Sequence, residues 1–204
     1  MLADLLRLST EFFLKAFSGL RAEGLENIPR SGPVIIACNH RSNADPPSVL
    51  TSIFHVRPGR VLAKRELFSV PFVGWVLRVF HCIPVERGKG DLGAMKSLLA
   101  ALKDGDCVLL FPEGTRARGD KPLEPKAGIG FVAAKSGAPI VTARIFNTEK
   151  YPWTHSVKVK FGRTLRFEEF KGAQDEKTAY IDFSKHVMQE IFSITEENAV
   201  GGKK

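Results

Sequence analysis

The stretch Asn39-His40-Arg41-Ser42-Asn43-Ala44-Asp45-Pro46-Pro47 sets a histidine and an aspartate five positions apart. Imidazole, largely neutral at pH 7, can take a proton from a hydroxyl. A carboxylate on its other nitrogen fixes the tautomer and stabilises the imidazolium as it forms. Spacing limits how the two can meet. On an α-helix, five residues turn through about 500°, which leaves the side chains roughly 140° apart. Only a turn brings Asp45 to a ring nitrogen of His40, and an aspartate before proline is biased to the extended backbone that such a turn needs. A plainer reading of the same residues makes Asp45 the cap of a helix that starts at the prolines, with His40 a satisfied polar residue.

A second chemical stretch is Phe111-Pro112-Glu113-Gly114-Thr115-Arg116. Glycine lets the backbone approach a ligand closely, Thr115 offers a hydroxyl, and Arg116 offers a planar fork for phosphate. Arg87, in Glu86-Arg87-Gly88, is placed in the same way beside a glycine. Two arginines at two strand ends could clamp one phosphate; taken singly, each is an ordinary surface arginine.

These groups need elements to hold them. Pro33 to Cys38 is apolar and β-branched enough for a buried strand that delivers His40. Cys82 to Val85 and Cys107 to Phe111 are two more short strands, and the second delivers Glu113 to Arg116. Between them Leu92, Met95, Leu98, Leu99 and Leu102 recur at helical spacing behind Asp91. Further on, 129–135 reads as helix, 140–146 and 157–161 as strands, and Tyr180 to Ile191 as an amphipathic helix. Strands alternating with helices predict a single α/β domain: a mixed, mostly parallel sheet flanked by helices. Ligands of such sheets bind at strand ends.

Upstream, Leu2, Leu5, Leu6, Phe12, Phe13, Ala16 and Phe17 alternate with Asp4, Arg7, Glu11 and Lys15 at helical spacing. Eighteen residues of helix would reach about 27 Å, close to a bilayer core. Four charges, at roughly 2.5–3.5 kcal/mol each near the centre, forbid a crossing. The helix lies either on its own domain or on a membrane interface. The expected division is thus 1–23 as an N-terminal amphipathic interface helix and 24–204 as the α/β domain. Val70 to Phe80 is apolar but broken by Pro71, Gly74 and Arg78, so it packs in the core or dips into lipid. Arg57, Arg60, Lys64 and Arg65 form the densest basic run, read as a loop that is either solvated or set for a phosphate-rich donor or anionic lipid.

Thirty Lys and Arg against 22 Asp and Glu leave a net charge of +8, which suits an anionic partner. Nucleic acid is disfavoured, because the aromatics sit in apolar runs rather than among basic residues. Three cysteines, Cys38, Cys82 and Cys107, each lie in or beside an apolar run, which fits reduced core residues and no disulfide framework. No paired His/Cys spacing suggests a metal site.

Taken together, the motifs resemble the glycerophospholipid acyltransferase family, in particular its bacterial 1-acyl-sn-glycerol-3-phosphate acyltransferases. The family's Asn-His-x4-Asp matches Asn39, His40 and Asp45; its strand ending in an acid and an arginine matches Glu86-Arg87. Phe-Pro-Glu-Gly-Thr-Arg matches 111–116 unchanged, and its Pro-Ile-Val stretch matches Pro139-Ile140-Val141. The family often carries proline where this chain has Thr142, and Asp where it has Glu86. The resemblance runs from about Gly24 to Phe161. It implies that His40 is a general base oriented by Asp45, and assigns binding of the glycerol phosphate to Arg87, Glu113, Gly114, Thr115 and Arg116. Because a carboxylate repels phosphate, Glu113 is read within that set as orienting Arg116 or contacting a hydroxyl. The implied reaction moves an acyl group from acyl-CoA or acyl-carrier protein to the free hydroxyl of a lysophosphatidate. No cofactor or metal is implied. The setting is peripheral, at the cytoplasmic face of the inner membrane.

Rival readings remain at this point. Gly88-Lys89-Gly90-Asp91-Leu92-Gly93 fits G-x-G-x-x-G, with Glu113 twenty residues beyond its last glycine, the outline of a dinucleotide site. The charged Glu86-Arg87 just before it speaks against that. Another lysolipid acceptor, or a membrane-surface lipid binder without turnover, also fits the composition; a binder has no use for a base.

Overall fold

The computed structural model describes residues 2–85, 92–117, 119, 121–151, 156–170 and 175–197. Its centre is a seven-stranded sheet: β1 (Arg21–Glu23), β2 (Val34–Cys38), β3 (Gly59–Lys64), β4 (Ile83–Val85), β5 (Cys107–Leu110), β6 (Ile140–Phe146) and β7 (Lys158–Leu165), in the order β1-β7-β6-β2-β5-β3-β4. Every neighbouring pair is parallel except β6 with β7. The mixed, mostly parallel α/β domain is therefore what the alternation of strands and helices implied.

Strand β2 is buried along its whole length, and its side chains alternate between two cores. Val34, Ile36 and Cys38 enter one with α2 (Asp45–Ile53), whereas Ile35 and Ala37 enter the other with α4 (Leu92–Lys103), α5 (Gly128–Ser136) and α6 (Glu176–Ser193). That period-two division of one continuous apolar run is what a central strand covered on both faces requires. The first core also takes Leu14 of α1 (Leu2–Ser18), with Leu77 and Phe80 against it from the segment of α3 (Pro71–Val79). Helices α1, α2 and α3 thus cover one face, and α4, α5 and α6 the other.

Two strands escaped the sequence reading. β3 occupies most of the basic run that reads as a loop; its charges sit at the ends, where Arg60 pairs with Asp106 at 2.5 Å, while Val61 alone is fully inside. A strand second from the edge needs only a short apolar middle, too short to register as a period. β1 falls within the stretch grouped with the N-terminal helix, which ends at Ser18; Arg21 to Glu23 pair with Lys158 to Lys160 of β7. Of the two surfaces expected to take the apolar stripe of helix α1, its own domain takes little of it. Among its described side chains Leu14 and Ser18 are buried, whereas Leu5, Leu8, Phe12, Phe13 and Phe17 are exposed. Its apolar stripe faces away from its own domain. No helix among the described residues is long and apolar enough to cross a membrane.

Candidate active site

Strands β2 and β5 are adjacent and parallel, with Ala37 opposite Leu110, so the loops that follow them leave the sheet side by side. Asn39 extends the β2–β6 ladder beyond the strand: its side chain accepts from the Ile145 N–H at 2.8 Å and donates to the Ile145 carbonyl at 3.1 Å. His40 begins the turn from that fixed point.

The backbone of His40 is held by the second motif. Its N–H donates to Glu113 Oε1 at 2.9 Å, its carbonyl accepts from Ala117 N–H at 2.8 Å, and its ring stacks on Phe111 at 4.0 Å. The Nδ1 of His40 meets Asp45 Oδ2 at 2.8 Å. The two side chains are 16% and 0% exposed, so the carboxylate is wholly enclosed while the ring reaches solvent. Nε2 of His40 has no hydrogen-bond partner among the described residues.

Asp45 is the first residue of α2, yet it does not cap it. Pro46 and Pro47 occupy the first turn and offer no N–H, and the next N–H, that of Ser48, is taken by the Ala44 carbonyl at 3.1 Å. Its Oδ2 instead accepts from the backbone N–H groups of Arg41 at 2.6 Å and Ser42 at 2.7 Å. The prolines that made a cap plausible are what release the carboxylate toward the histidine. Its other oxygen accepts from the hydroxyl of Thr148, which is 1% exposed and follows Asn147, a residue at φ 66° just beyond β6. Thr148 lies 103 residues from Asp45. Sequence reasoning missed it, because a lone threonine in Asn147-Thr148-Glu149 carries no periodic or motif signal.

Glu113 differs from what was expected of it. It is 2% exposed, and its two oxygens accept from the N–H groups of His40 and, at 3.2 Å, Leu123. The side chain braces the His40 turn and points inward to backbone N–H groups. Gly114 has φ 68°, and a Cβ there would come within 3.0 Å of Lys126, so the loop turns where only glycine fits easily. Thr115 and Arg116 are exposed beyond it.

Beside the turn lies a cleft of about 500 Å³ lined by Arg41, Ser42 and Arg116 together with Leu14, Glu149 and Tyr151. It joins the two motifs through Arg41, a cation the sequence reading passed over although it adjoins His40. Burial first, and then the charge of Arg41, lower the Arg144 guanidinium, which binds the Phe192 and Ile194 carbonyls at 2.8 and 2.7 Å. Positive charge thus gathers at this end of the sheet. Arg87, the remaining expected ligand, lies outside the described residues, as do Gly88 to Asp91 of the glycine-rich stretch. β4, which precedes them, is the edge strand of the described sheet.

The three thiols are poor nucleophiles. Burial pushes Cys82 up to about 11 and Cys107 up to about 12. Burial, then the nearby Asp45 carboxylate, raises Cys38 well above its ordinary value. Among the described residues no group of three or more His, Cys, Asp and Glu gathers as a metal site would require.

Comparison with known proteins agrees with this geometry. Residues 19–146 match the family model described as Acyltransferase, and the chain belongs to that family. The 1-acyl-sn-glycerol-3-phosphate acyltransferase of Pseudomonas aeruginosa is 35% identical over 158 residues, covering 74% of this chain and 59% of that one. That of Bacillus subtilis is 34% identical over 127 residues, covering 61% of each. The crystal structure of the 1-acyl-sn-glycerophosphate (LPA) acyltransferase PlsC from Thermotoga maritima superposes with TM-score 0.69 at 26% identity, covering 96% of this chain and 82% of that one. The chain spans between 37% and 61% of the length of the curated relatives it matches.

Proposed function

We propose that the protein transfers a fatty acyl group from a thioester, acyl-CoA or acyl-carrier protein, to the sn-2 hydroxyl of 1-acyl-glycerol-3-phosphate, giving phosphatidate. The observation that carries the reading is the His40–Asp45 pair: a partly exposed ring bonded through Nδ1 at 2.8 Å to a carboxylate with no solvent exposure. Bonding at Nδ1 leaves Nε2 to face the substrate. It removes the proton of the acceptor hydroxyl as that oxygen attacks the thioester carbonyl carbon. The tetrahedral intermediate collapses with cleavage of the C–S bond, and the thiolate takes the proton back from the imidazolium. No enzyme nucleophile is needed, in keeping with three thiols held protonated by burial. General base catalysis contributes about 10²–10⁴-fold, and positioning of acceptor and donor supplies the rest.

The acceptor phosphate sits in the cleft against Arg116 and Arg41, with Arg87 assigned to it by the family's second motif. Gly114 and Thr115 shape its backbone approach, and Glu113 serves by fixing His40. The same relatives' names support this acceptor. The protein works peripherally at the cytoplasmic face of the inner membrane, with the exposed stripe of α1 at the lipid interface.

The test is thiol release from long-chain acyl-CoA with lysophosphatidate, glycerol-3-phosphate or no acceptor, in wild type and His40→Ala. Release that requires lysophosphatidate and disappears in the variant is expected. Release only with another acceptor would rename the substrate. No release with either acyl-CoA or acyl-carrier protein would sink the enzymatic reading.

A further inference from the structure

Two elements carry apolar side chains that the fold leaves outside: α1, and the 3-10 turn Arg65–Ser69 with the α3 helix that follows it. Leu67, Val70, Phe72 and Val73 are all exposed, Phe72 by 71%, next to Phe12 of α1 as the most open large apolar side chain. Phe72 and Trp75 stand with ring centroids 6.0 Å apart.

Phe72 is not out for want of a fixed place. The inner side of α3 is clamped to the turn before it: a Cβ on Gly74 would lie 2.2 Å from the Phe68 carbonyl, and Arg78 donates to that same carbonyl at 3.1 Å. Phe68, Leu77 and Phe80 pack on the core beneath. With that side docked, the other side must face outward, and a Phe left in water forgoes the free energy of burial.

Charge identifies the occupant. Among the described residues Lys64, Arg65 and Arg78 flank the knuckle together with one carboxylate, Glu66, and all four are exposed. An apolar, aromatic tip inside a cationic collar matches a bilayer whose surface is anionic. Placement agrees. α3 and α1 pack on the same core, hence on the same face of the sheet as α2, whose first residue is Asp45.

We propose that the α3 knuckle is a second lipid-docking element, independent of α1, that inserts Phe72, Val73 and the edge of Trp75 into the headgroup–acyl boundary of an anionic membrane. The proposal rests on the lipid-acyltransferase reading for its purpose, since it holds the catalytic turn against the surface where the acceptor resides. The measurement itself needs no turnover.

The chain has two tryptophans, so a Trp153→Phe background leaves Trp75 as sole reporter. With phosphatidylcholine–phosphatidylglycerol vesicles, lipids brominated near the headgroup end of the acyl chains should quench Trp75. Phe72→Asp should lower vesicle partitioning about tenfold, with transfer to a soluble short-chain lysophosphatidate unchanged. Vesicle-bound protein with unquenched Trp75 would overturn the proposal. So would a lipid-free dimer that Phe72→Asp dissociates, which would make the patch a self-association face, or an equal loss on the soluble acceptor, which would make it part of the substrate site. Quenching without any acyl transfer would leave the docking and remove the enzyme.

Discussion

The turn that carries His40 and the loop tip that carries Arg116 leave adjacent strands, yet they are held in opposite ways. Around the histidine, nearly every polar atom has a fixed partner: Asp45 accepts from a ring, two backbone N–H groups and a hydroxyl, and Glu113 and Asn39 bind backbone on either side. Arg116 and Thr115 stand in the open beside a cleft. Proton transfer needs its base fixed to within tenths of an ångström, whereas capture of a charged headgroup needs long cationic arms that can follow it. On the proposed reading, the proton-transfer groups are those whose polar atoms are tied down, and the recognition groups are side chains that project from a pinned backbone into the open.

The largest effects should follow from damage to the rigid side. His40→Ala should lower kcat by about 10³-fold or more with the KM for acceptor little changed, because the base acts only in the transition state. Asp45→Asn should cost about 10²–10⁴-fold, since an amide satisfies two backbone N–H groups poorly and favours the wrong tautomer. A fall in KM-dependent terms alone, with kcat intact, would break the contrast between the two loops.

Arg116→Ala should do the reverse. The expected change is a rise of about 10- to 100-fold in the KM for lysophosphatidate, partly restored by Arg116→Lys, with kcat within a few-fold. Steady-state kinetics with acceptor varied at saturating acyl-CoA separates the two. If kcat fell as steeply as in His40→Ala, the open side would be catalytic as well.

Thr148→Val sharpens the comparison, because it removes one donor from Asp45 at a distance from both motifs. A buried carboxylate oxygen left without a partner costs about 1–3 kcal/mol. Part of that should appear in thermal stability and part as a roughly tenfold fall in kcat, with Thr148→Ser restoring both. A purely structural threonine would lower stability and leave kcat and its pH profile where they were.

How much of this was legible in the sequence follows from the same division. The His40–Asp45 contact could be read because a shared hydrogen bond constrains spacing: residues five apart cannot meet on a helix, so a turn was required. Strands β2 and β5 were visible because a strand buried on both faces is apolar throughout, and β6 because apolar residues surround its Thr142 and Arg144. β3 was not, because its apolar middle is three residues long between charged ends. Thr148, Arg41 and the inward turn of Glu113 depend on which loops the sheet order brings together, and order is a long-range property that no local window carries. The prolines after Asp45 were ambiguous for a different reason. They signal a helix start correctly, while the first N–H beyond them, that of Ser48, bonds to the Ala44 carbonyl and leaves Asp45 no group to cap.

The smallest effect on activity concerns the thiols, and it tests whether the His40 side is rigid in solution. Cys38 directly precedes Asn39 and is wholly buried, Cys107 lies on β5, and Cys82 precedes β4. All three keep their protons to higher pH in the folded chain than their ordinary value near 9.0. Below pH 9 they are protonated in both states and contribute no pH dependence. Above it the unfolded chain releases protons that the folded chain retains, so stability should fall as pH rises toward about 11 for Cys82 and about 12 for Cys107, by at most about 1.4 kcal/mol per pH unit for each thiol. At pH 8 an aromatic disulfide reagent should leave native protein unmodified over the time it labels all three cysteines in guanidinium, and activity should be unchanged. Rapid labelling of Cys38 alone would mean that the end of β2 opens on its own. The catalytic turn would then be no better fixed than the loop beside it.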